Sequence, residues 1–231
     1  MAKRQVTCAI NPAMGDESFA KMKKADKPCS IAVVGGGPAG MEAARHAALR
    51  GHEVTIFERK GELGGAILGD CLVQGKEKMK WYADWIRNQL RKLDNVKVVL
   101  NHTPSVEELK KFDIVANATG ASSYVPPVFG NAEAVVPFEE VLACPKVNCE
   151  FNPGGRKMAK VGEKVLVWGD HYAAADTAQF LASIGKEVTV VTEQPQFAAK
   201  VETIHMYVAR KRFNLEEAEA LTPHPYKHKV E

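Results

Sequence analysis

The chain has 231 residues, 45% of them apolar and 26% charged, with a formal net charge of +3. This composition is typical of a globular protein, and so small a net charge argues against a nucleic-acid or membrane partner. The sequence contains no secretory signal and no apolar run of about 20 residues, and its five cysteines form no regular framework. A reducing cytoplasm is therefore the expected location.

Residues 1–27 are predicted to be a linker rather than a domain. They include a basic run from Lys21 to Lys27 and two turn-forming pairs, Asn11-Pro12 and Gly15-Asp16. Cys8 has no second cysteine at a metal-ligand spacing, so spacing alone favours a small buried apolar residue at this position.

A predicted buried strand leads directly into a glycine-rich loop. Ile31–Val34 is apolar and rich in β-branched residues, and Gly35, Gly37 and Gly40 follow with the spacing G-x-G-x-x-G. These glycines permit a tight turn, a close approach of the backbone to a pyrophosphate, and close packing of helix on strand. Pro38 falls in the first turn of the alanine-rich helix that follows, whose N-terminus favours phosphate groups. The alternative is a strand–helix turn that binds nothing.

The second strand of this unit is predicted over Glu53–Phe57 and is followed by Glu58, 18 residues past Gly40. A carboxylate there accepts hydrogen bonds from an unphosphorylated ribose, which favours FAD, ADP or NAD over NADP. Gly64 and Gly65 come soon afterwards and predict a second close approach to the dinucleotide, with a flexible turn as the alternative.

Four further elements are predicted up to Gly120, and one of them is a short strand over Val96–Leu100. Residues 76–93 form an amphipathic helix whose packing face holds Met79, Tyr82, Ile86, Leu90 and Leu93 and is widened by Trp81 and Trp85. Ser105 and Glu108 form a capping box for a short helix. The apolar strand that begins near Lys111 ends at Thr119-Gly120, whose small residues would let the backbone pass close to the dinucleotide.

A second strand–helix–strand unit begins at Lys164. Its helix is predicted over Tyr172–Ile184 and its second strand over Glu187–Thr192, ending on Glu193. The loop between strand and helix is degenerate, because Gly169-Asp170-His171-Tyr172-Ala173-Ala174 retains only the first glycine. If this loop binds a nucleotide, Glu193 would favour NAD over NADP. Beyond it, Val201–Arg212 and Asn214–Leu221 are predicted to be helical and Thr222–Lys229 to be an extended tail.

The predicted fold is α/β, with two Rossmann-like nucleotide-binding domains, the second incomplete. The predicted divisions are a linker at 1–27, an FAD- or ADP-binding domain at 28–155 and a partial NAD(P)-binding domain at 156–231. The predicted cofactor-binding residues are Gly35, Gly37, Pro38, Ala39, Gly40, Glu58, Arg59, Gly64, Gly65, Thr119, Gly120, Gly169, Asp170 and His171.

The motifs, taken in order, resemble a known family. Cys-Ala-x-Asn-Pro at Cys8, the G-x-G-x-x-G loop with Glu58, Leu-Gly-Gly at Leu63, Ala-Thr-Gly at Ala118 and the degenerate loop at Gly169 are similar to the C-terminal part of the iron–sulfur flavoenzymes related to 2,4-dienoyl-CoA reductase, trimethylamine dehydrogenase and histamine dehydrogenase. The resemblance runs from about Val6 to at least Glu193.

This resemblance implies two nucleotide domains of the glutathione-reductase type beside a barrel that holds FMN and the active site. It also implies that Cys8 is the last ligand of a [4Fe–4S] cluster whose other ligands lie in the partner barrel domain or subunit. Reductase-like members hold FAD in the first domain and receive a nicotinamide nucleotide in the second. Trimethylamine-dehydrogenase-like members hold ADP in the first and do not use the second for nicotinamide.

Three functions follow as hypotheses. The first is an FAD-dependent NAD(P)H oxidoreductase module that passes electrons to an iron–sulfur and FMN partner. The second is a non-catalytic ADP-binding module that supports such a partner. The third, a free-standing disulfide reductase, would need a redox dithiol such as Cys-x-x-Cys, which the sequence lacks. Self-association is expected if an incomplete second domain exposes apolar surface.

Overall fold

The structure, a computed structural model, describes residues 8, 10, 11, 13–15, 22–129, 134–142, 158–194, 197 and 227–230. In chain order the elements are β1 (Ser30–Val34), α1 (Pro38–Leu49), β2 (Glu53–Phe57), α2 (Ile67–Asp70), α3 (Met79–Arg91), β3 (Val96–Val99), α4 (Val106–Leu109), β4 (Ile114–Asn117), a 3₁₀ turn (Pro127–Phe129), α5 (Phe138–Val141), β5 (Lys164–Trp168), α6 (Tyr172–Ser183), β6 (Glu187–Val191) and β7 (Lys227–Val230).

The chain divides into two compact units. Residues Met1–Ile67 and Lys78–Ala121 form the first unit, and Leu68–Glu77 and Ser122–Glu231 form the second. The sequence instead predicts divisions after residues 27 and 155. These remain a prediction, since residues 143–157, where the second division falls, lie outside the described residues.

The first unit contains a four-stranded parallel sheet in the order β3-β2-β1-β4. Because all four strands run the same way, their carboxyl ends meet at one edge, where ligands bind in open α/β sheets. The core beside β1 is made by alternate strand residues and by the small and apolar face of α1, including Val33, Ile56, Met41 and Ala44. The predicted α/β fold is confirmed.

The second unit contains the order β5-β6-β7, in which β5 and β6 are parallel and β7 is antiparallel to β6. Its core includes Val188, Val190, Ala178 and Leu181, all almost fully buried. β7 covers the end of the segment predicted to be an extended tail, whereas the helices predicted over 201–212 and 214–221 lie outside the described residues.

The two strand–helix–strand units correspond residue by residue. Ser30 corresponds to Lys164, Pro38 to Tyr172 and Glu53 to Glu187, a constant separation of 134 residues. The strand pairing is the same in both, Ser30 with Glu53 and Lys164 with Glu187. Equivalent positions of the two units can therefore be compared without insertions.

Two predictions about local structure need correction. The helix predicted over 76–93 is α3, Met79–Arg91, and its buried residues are Ala83, Ile86 and Leu90. Trp81 and Trp85 do not widen the packed face, because they are 67% and 43% exposed. They line a surface cavity of about 750 Å³ together with α1 and residues near Ile10.

The predicted capping box is half formed. The Ser105 hydroxyl accepts a hydrogen bond from the Glu108 backbone N–H at 3.2 Å, which caps α4. The Glu108 carboxylate lies 2.8 Å from the His102 ring instead of returning to the backbone N–H of Ser105. The Glu108 carboxylate therefore contacts the His102 imidazole in place of the backbone N–H that would complete the box.

Candidate cofactor-binding site

The glycine loop after β1 lies at the carboxyl edge of the first sheet, and two of its glycines are required by the protein's own packing. Gly35 has a φ of +109°, and its N–H donates to the Phe57 carbonyl at 2.8 Å. A Cβ at Gly35 would collide with the Ala118 carbonyl oxygen, and a Cβ at Gly40 would collide with the Gly35 carbonyl oxygen. These two glycines thus shape the turn and bring α1 against β1.

Gly37 is different, because space remains beside it. Its φ is −75°, which any residue adopts, and the nearest atom to an added Cβ is the Gly65 Cα at 3.9 Å. Gly37 is also the N-cap of α1 and has no side-chain cap, so the first N–H groups of α1 are available to an anion. The opening fits a pyrophosphate that approaches the backbone at this point.

Glu58 lies at the end of β2, as predicted, and is only 6% exposed. Its Oε2 accepts a hydrogen bond from the Gly36 N–H at 2.7 Å and its Oε1 accepts one from the Lys60 N–H at 2.8 Å. These two bonds fix the carboxylate, while each oxygen keeps a further lone pair for a ribose hydroxyl. Arg59 is exposed beside it.

The Gly64-Gly65 turn packs against the phosphate loop. The Gly64 N–H donates to the Gly36 carbonyl at 2.7 Å, and a Cβ at Gly65 would lie only 2.8 Å from the Gly37 Cα. Gly65 also has a φ of +58°. The second glycine pair is therefore needed for contact between two loops, at the place where the sequence predicts the approach of a dinucleotide.

Arg87, which sequence reasoning missed, holds this turn from α3. Its Nε donates to the Leu63 carbonyl at 2.9 Å, its Nη2 contacts the same oxygen, and Nη2 lies 3.2 Å from the Glu62 carboxylate. An arginine on an amphipathic helix gives no local sequence signal for a partner 24 residues away.

Thr119 and Gly120 reach the same edge by way of β4, which pairs with β1. The Thr119 N–H and hydroxyl both donate to the Asn117 side-chain oxygen, at 3.2 and 2.9 Å. Both residues are exposed at the strand end. The first unit thus brings its predicted site residues together at one edge, and their contact with a cofactor stays a prediction.

The second glycine loop joins β5 to α6. Gly169 has a φ of +144°, Asp170 is 7% exposed, and the side chain of His171 is 65% exposed. A cavity of about 630 Å³ is lined by β5 and, in the first turn of α6, by Ala173 and Ala174, but not by Gly169, Asp170 or His171. This volume lies in the range of small-molecule sites.

Glu193, the acid predicted at the end of β6, lies one residue beyond the position that corresponds to Glu58. The residue equivalent to Glu58 is Thr192, which is 1% exposed, whereas Glu193 is exposed and equivalent to Arg59. The Thr192 hydroxyl accepts a hydrogen bond from the Gln194 N–H at 3.0 Å. Glu193 therefore does not occupy the position from which Glu58 faces the loop.

Cys8 is held by backbone donors. Its Sγ accepts a hydrogen bond from the Ile10 N–H at 3.5 Å, and N–H groups of Ile10 and Asn11 hold the pKa of the thiol below its ordinary value. Thiolate is the form that binds metals. Within the described part of the chain, no three His, Cys, Asp or Glu side chains are grouped as a metal site.

Comparison with known proteins identifies the family. The family profile named pyridine nucleotide-disulphide oxidoreductase matches residues 29–222. The chain belongs to this family. Its membership confirms the Rossmann-like fold and the FAD/NAD(P)H oxidoreductase class, and the family implies binding of FAD and NAD(P)H.

Two curated relatives and one solved structure extend the comparison. Cinnamate reductase of Clostridium sporogenes is 39% identical over 191 residues, covering 82% of this chain and 26% of that protein. NADH oxidase of Thermoanaerobacter brockii is 33% identical over 215 residues, covering 90% and 31%. A 2-naphthoyl-CoA reductase complex aligns with a TM-score of 0.77 and 28% identity, covering 90% and 30%.

These matches confirm the resemblance to the FAD/NAD(P)-binding part of the enzymes related to 2,4-dienoyl-CoA reductase and trimethylamine dehydrogenase. The chain spans about a quarter to a third of the length of the relatives that it matches. Among the described helices, none is long and apolar enough to cross a membrane.

Proposed function

We propose that the chain holds FAD in its first unit, receives electrons from a nicotinamide nucleotide bound in its second unit, and passes them to a partner. The partner would be an FMN-containing barrel, as a domain or a subunit, with an iron–sulfur cluster between the flavins. The single observation that carries the FAD assignment is the open space beside Gly37, next to a fixed carboxylate at Glu58.

Each residue has a physical role in this proposal. The N-terminus of α1 and the bare backbone at Gly37 receive the pyrophosphate, and Glu58 accepts hydrogen bonds from the adenosine ribose. Arg87 positions the Gly64-Gly65 turn through Leu63. A flavin held by these residues would supply the chemistry of hydride acceptance and one-electron transfer. The protein binds and orients it.

In this proposal, Cys8 is the residue of this chain that binds an iron of the cluster. Its backbone hydrogen bonds favour the thiolate that an iron ligand requires, and no three His, Cys, Asp or Glu side chains are grouped among the described residues. A [4Fe–4S] cluster needs four such ligands, so the remaining three would belong to the partner. The greater length of the relatives supports a partner domain.

The alternative is a structural role, with ADP in the first unit. The same loop and carboxylate would hold the ADP moiety that FAD and ADP share. The Gly64-Gly65 turn lies beside the pyrophosphate position, which both nucleotides share. What favours FAD is the relative that is an NADH oxidase.

The decisive experiment identifies the bound nucleotide. The purified chain is examined by visible spectroscopy, denatured, and the released nucleotide is weighed by mass spectrometry; NADH is then added anaerobically to a second sample. Flavin absorbance, released FAD and bleaching by NADH are the expected results. Released ADP without flavin colour supports the structural alternative, and no nucleotide after incubation with either would contradict both.

A further inference from the structure

A buried ion pair between Glu62 and Arg87 links α3 to the turn that touches the phosphate loop. Glu62 is 8% exposed, and the side chain of Arg87 is 15% exposed. Glu62 Oε2 lies 3.2 Å from Arg87 Nη2, whereas Glu62 Oε1 has no hydrogen-bond partner among the described residues. The pair is therefore buried with one of its two carboxylate oxygens unsatisfied.

This arrangement contributes little to the stability of the fold. Removing two charges from water costs free energy, which a buried ion pair recovers only where its remaining lone pairs are also satisfied. A buried acceptor without a donor adds a further cost. Apolar residues of similar volume in place of such a pair are often neutral or stabilising. The effect of the pair is therefore expected to lie in the position of the groups that it contacts.

The group held by the pair is the Leu63 carbonyl. Arg87 Nε donates to this oxygen at 2.9 Å, and Arg87 Nη2 contacts the same oxygen. Nη2 is shared with the Glu62 carboxylate, so the acid restrains the rotation of the guanidinium that holds Leu63. The other acid near Arg87 is Asp84, which lies 3.5 Å from Nη1 and whose side chain is 40% exposed.

The turn after Leu63 has conformational freedom that the pair can restrict. Gly64 and Gly65 have φ values of +133° and +58°, and glycine loses more freedom on ordering than any other residue. The Leu63 side chain fills the space that a Cβ at Gly36 would need, and the Gly64 N–H donates to the Gly36 carbonyl at 2.7 Å. A turn that is ordered against the phosphate loop in advance does not have to be ordered when a ligand binds.

We propose that Glu62 is a positioning residue for FAD binding: through Arg87 it holds the Leu63 carbonyl and keeps the Gly64-Gly65 turn in the conformation that receives the cofactor. This inference rests on the proposed function, because it requires FAD at the phosphate loop. If the turn without the pair takes this conformation only about a tenth of the time, the apparent dissociation constant of FAD rises about tenfold. Affinity for FAD and stability of the fold are thus expected to respond differently to the loss of the pair.

The test replaces both charged residues by methionine in the full chain, which removes the pair and leaves the net charge of the site unchanged. Glu62→Met combined with Arg87→Met is expected to unfold at a urea concentration equal to or above that of the wild type. The same variant is expected to bind FAD about tenfold more weakly. Fluorescence titration with FAD measures the dissociation constant, and urea denaturation of the FAD-free chain measures stability.

Single variants and a control on the same helix complete the series. Arg87→Met leaves the Glu62 carboxylate buried without its partner, so both the urea midpoint and the affinity for FAD are expected to fall. Glu62→Met retains the contact of Arg87 with Leu63 and is expected to raise the dissociation constant about threefold. Arg91→Met removes an arginine whose contact with Asn88 is exposed and is expected to change neither quantity. If Arg87→Met does not fold, the double variant still decides the test.

The outcomes that would overturn the inference differ from those that would overturn the proposed function. If the double variant binds FAD as the wild type does, or if it loses stability together with affinity, the pair is only structural, and the proposed function stands. If Arg91→Met weakens FAD binding as much as Glu62→Met does, the positioning role is also wrong. If the wild type binds no FAD, both the proposed function and the positioning role are wrong.

Discussion

A substitution at Gly37 is expected to affect cofactor binding without disturbing the packing of the fold. A methyl group at this position would meet no protein atom closer than 3.9 Å, whereas one at Gly40 would collide with the Gly35 carbonyl. The same substitution at two positions of one motif therefore has different physical consequences.

Gly37→Ala is expected to fold and to lose FAD. Alanine at a helix N-cap costs up to about 1 kcal/mol, while its methyl group takes the space assigned to the pyrophosphate. Gly40→Ala is expected to cost about 1–3 kcal/mol or more through overpacking. Chemical denaturation and the FAD content of the purified chain measure the two effects. An alanine variant at Gly37 that retains FAD with unchanged affinity would contradict the site.

Glu42 on α1 carries a pH-dependent contribution to stability. Partial burial opposes its ionisation, but hydrogen bonds and charge from Arg45, with a further contribution from His46, hold the pKa of Glu42 below its ordinary value. A carboxylate with a lowered folded-state pKa stabilises the protein above its unfolded pKa of about 4.3, and this stability is lost as the pH falls through the folded-state value.

Glu42→Gln is accordingly expected to destabilise the first unit at neutral pH by about 1.5–3 kcal/mol, the range for hydrogen bonds to charged groups. The difference from wild type should shrink as the pH falls below about 4. Glu107→Gln is the control, since its pair with Lys110 is exposed and such pairs contribute about 1 kcal/mol or less. Urea denaturation at several pH values tests both, and a difference that grows in acid would refute the assignment.

At the scale of the element, α3 shows what periodicity can and cannot predict. The sequence predicts this helix, because apolar residues recur at steps of three and four. Which apolar side chains enter the core depends on the partner surface, and α3 presents Ala83, Ile86 and Leu90 to α1 and the sheet. Trp81 and Trp85 lie outside this contact, a fact of tertiary packing that no window of sequence contains.

The loss of stability caused by substitutions on the two faces of α3 should therefore follow the burial of the side chain and not its size. Ile86→Ala removes a side chain with 0% exposure and is expected to cost about 2–5 kcal/mol. Trp81→Ala removes a larger side chain that is 67% exposed, and the expected cost is below about 1 kcal/mol. Thermal or urea denaturation compares them. Equal losses would place Trp81 in the core after all.

At the scale of the whole molecule, the chain repeats one strand–helix–strand arrangement at a separation of 134 residues. The first copy was predictable in detail, because strand, glycine loop, helix and acid are local signals that agree with one another. The second copy was predictable as a fold but not as a site. There the acid nearest in sequence, Glu193, lies two residues beyond the end of β6, and the register of β5 with β6 places Thr192 at the position of Glu58. Arg87 was missed for a related reason, since its partners are distant in sequence.

The repeat leads to a prediction about where each ligand acts. A ligand that binds the folded state stabilises it by RT ln(1 + [L]/Kd), which is about 2.7 kcal/mol at 100 times Kd. FAD is expected to slow amide exchange in residues 30–65 and 114–120, and NADH, added to the FAD-loaded chain, to slow it in residues 164–194. Hydrogen exchange followed by mass spectrometry measures both in one sample. Since each unit has its own core, FAD protection confined to 164–194 would reverse the assignment of cofactors to units, and equal FAD protection of both segments would mean that the two copies bind without distinction.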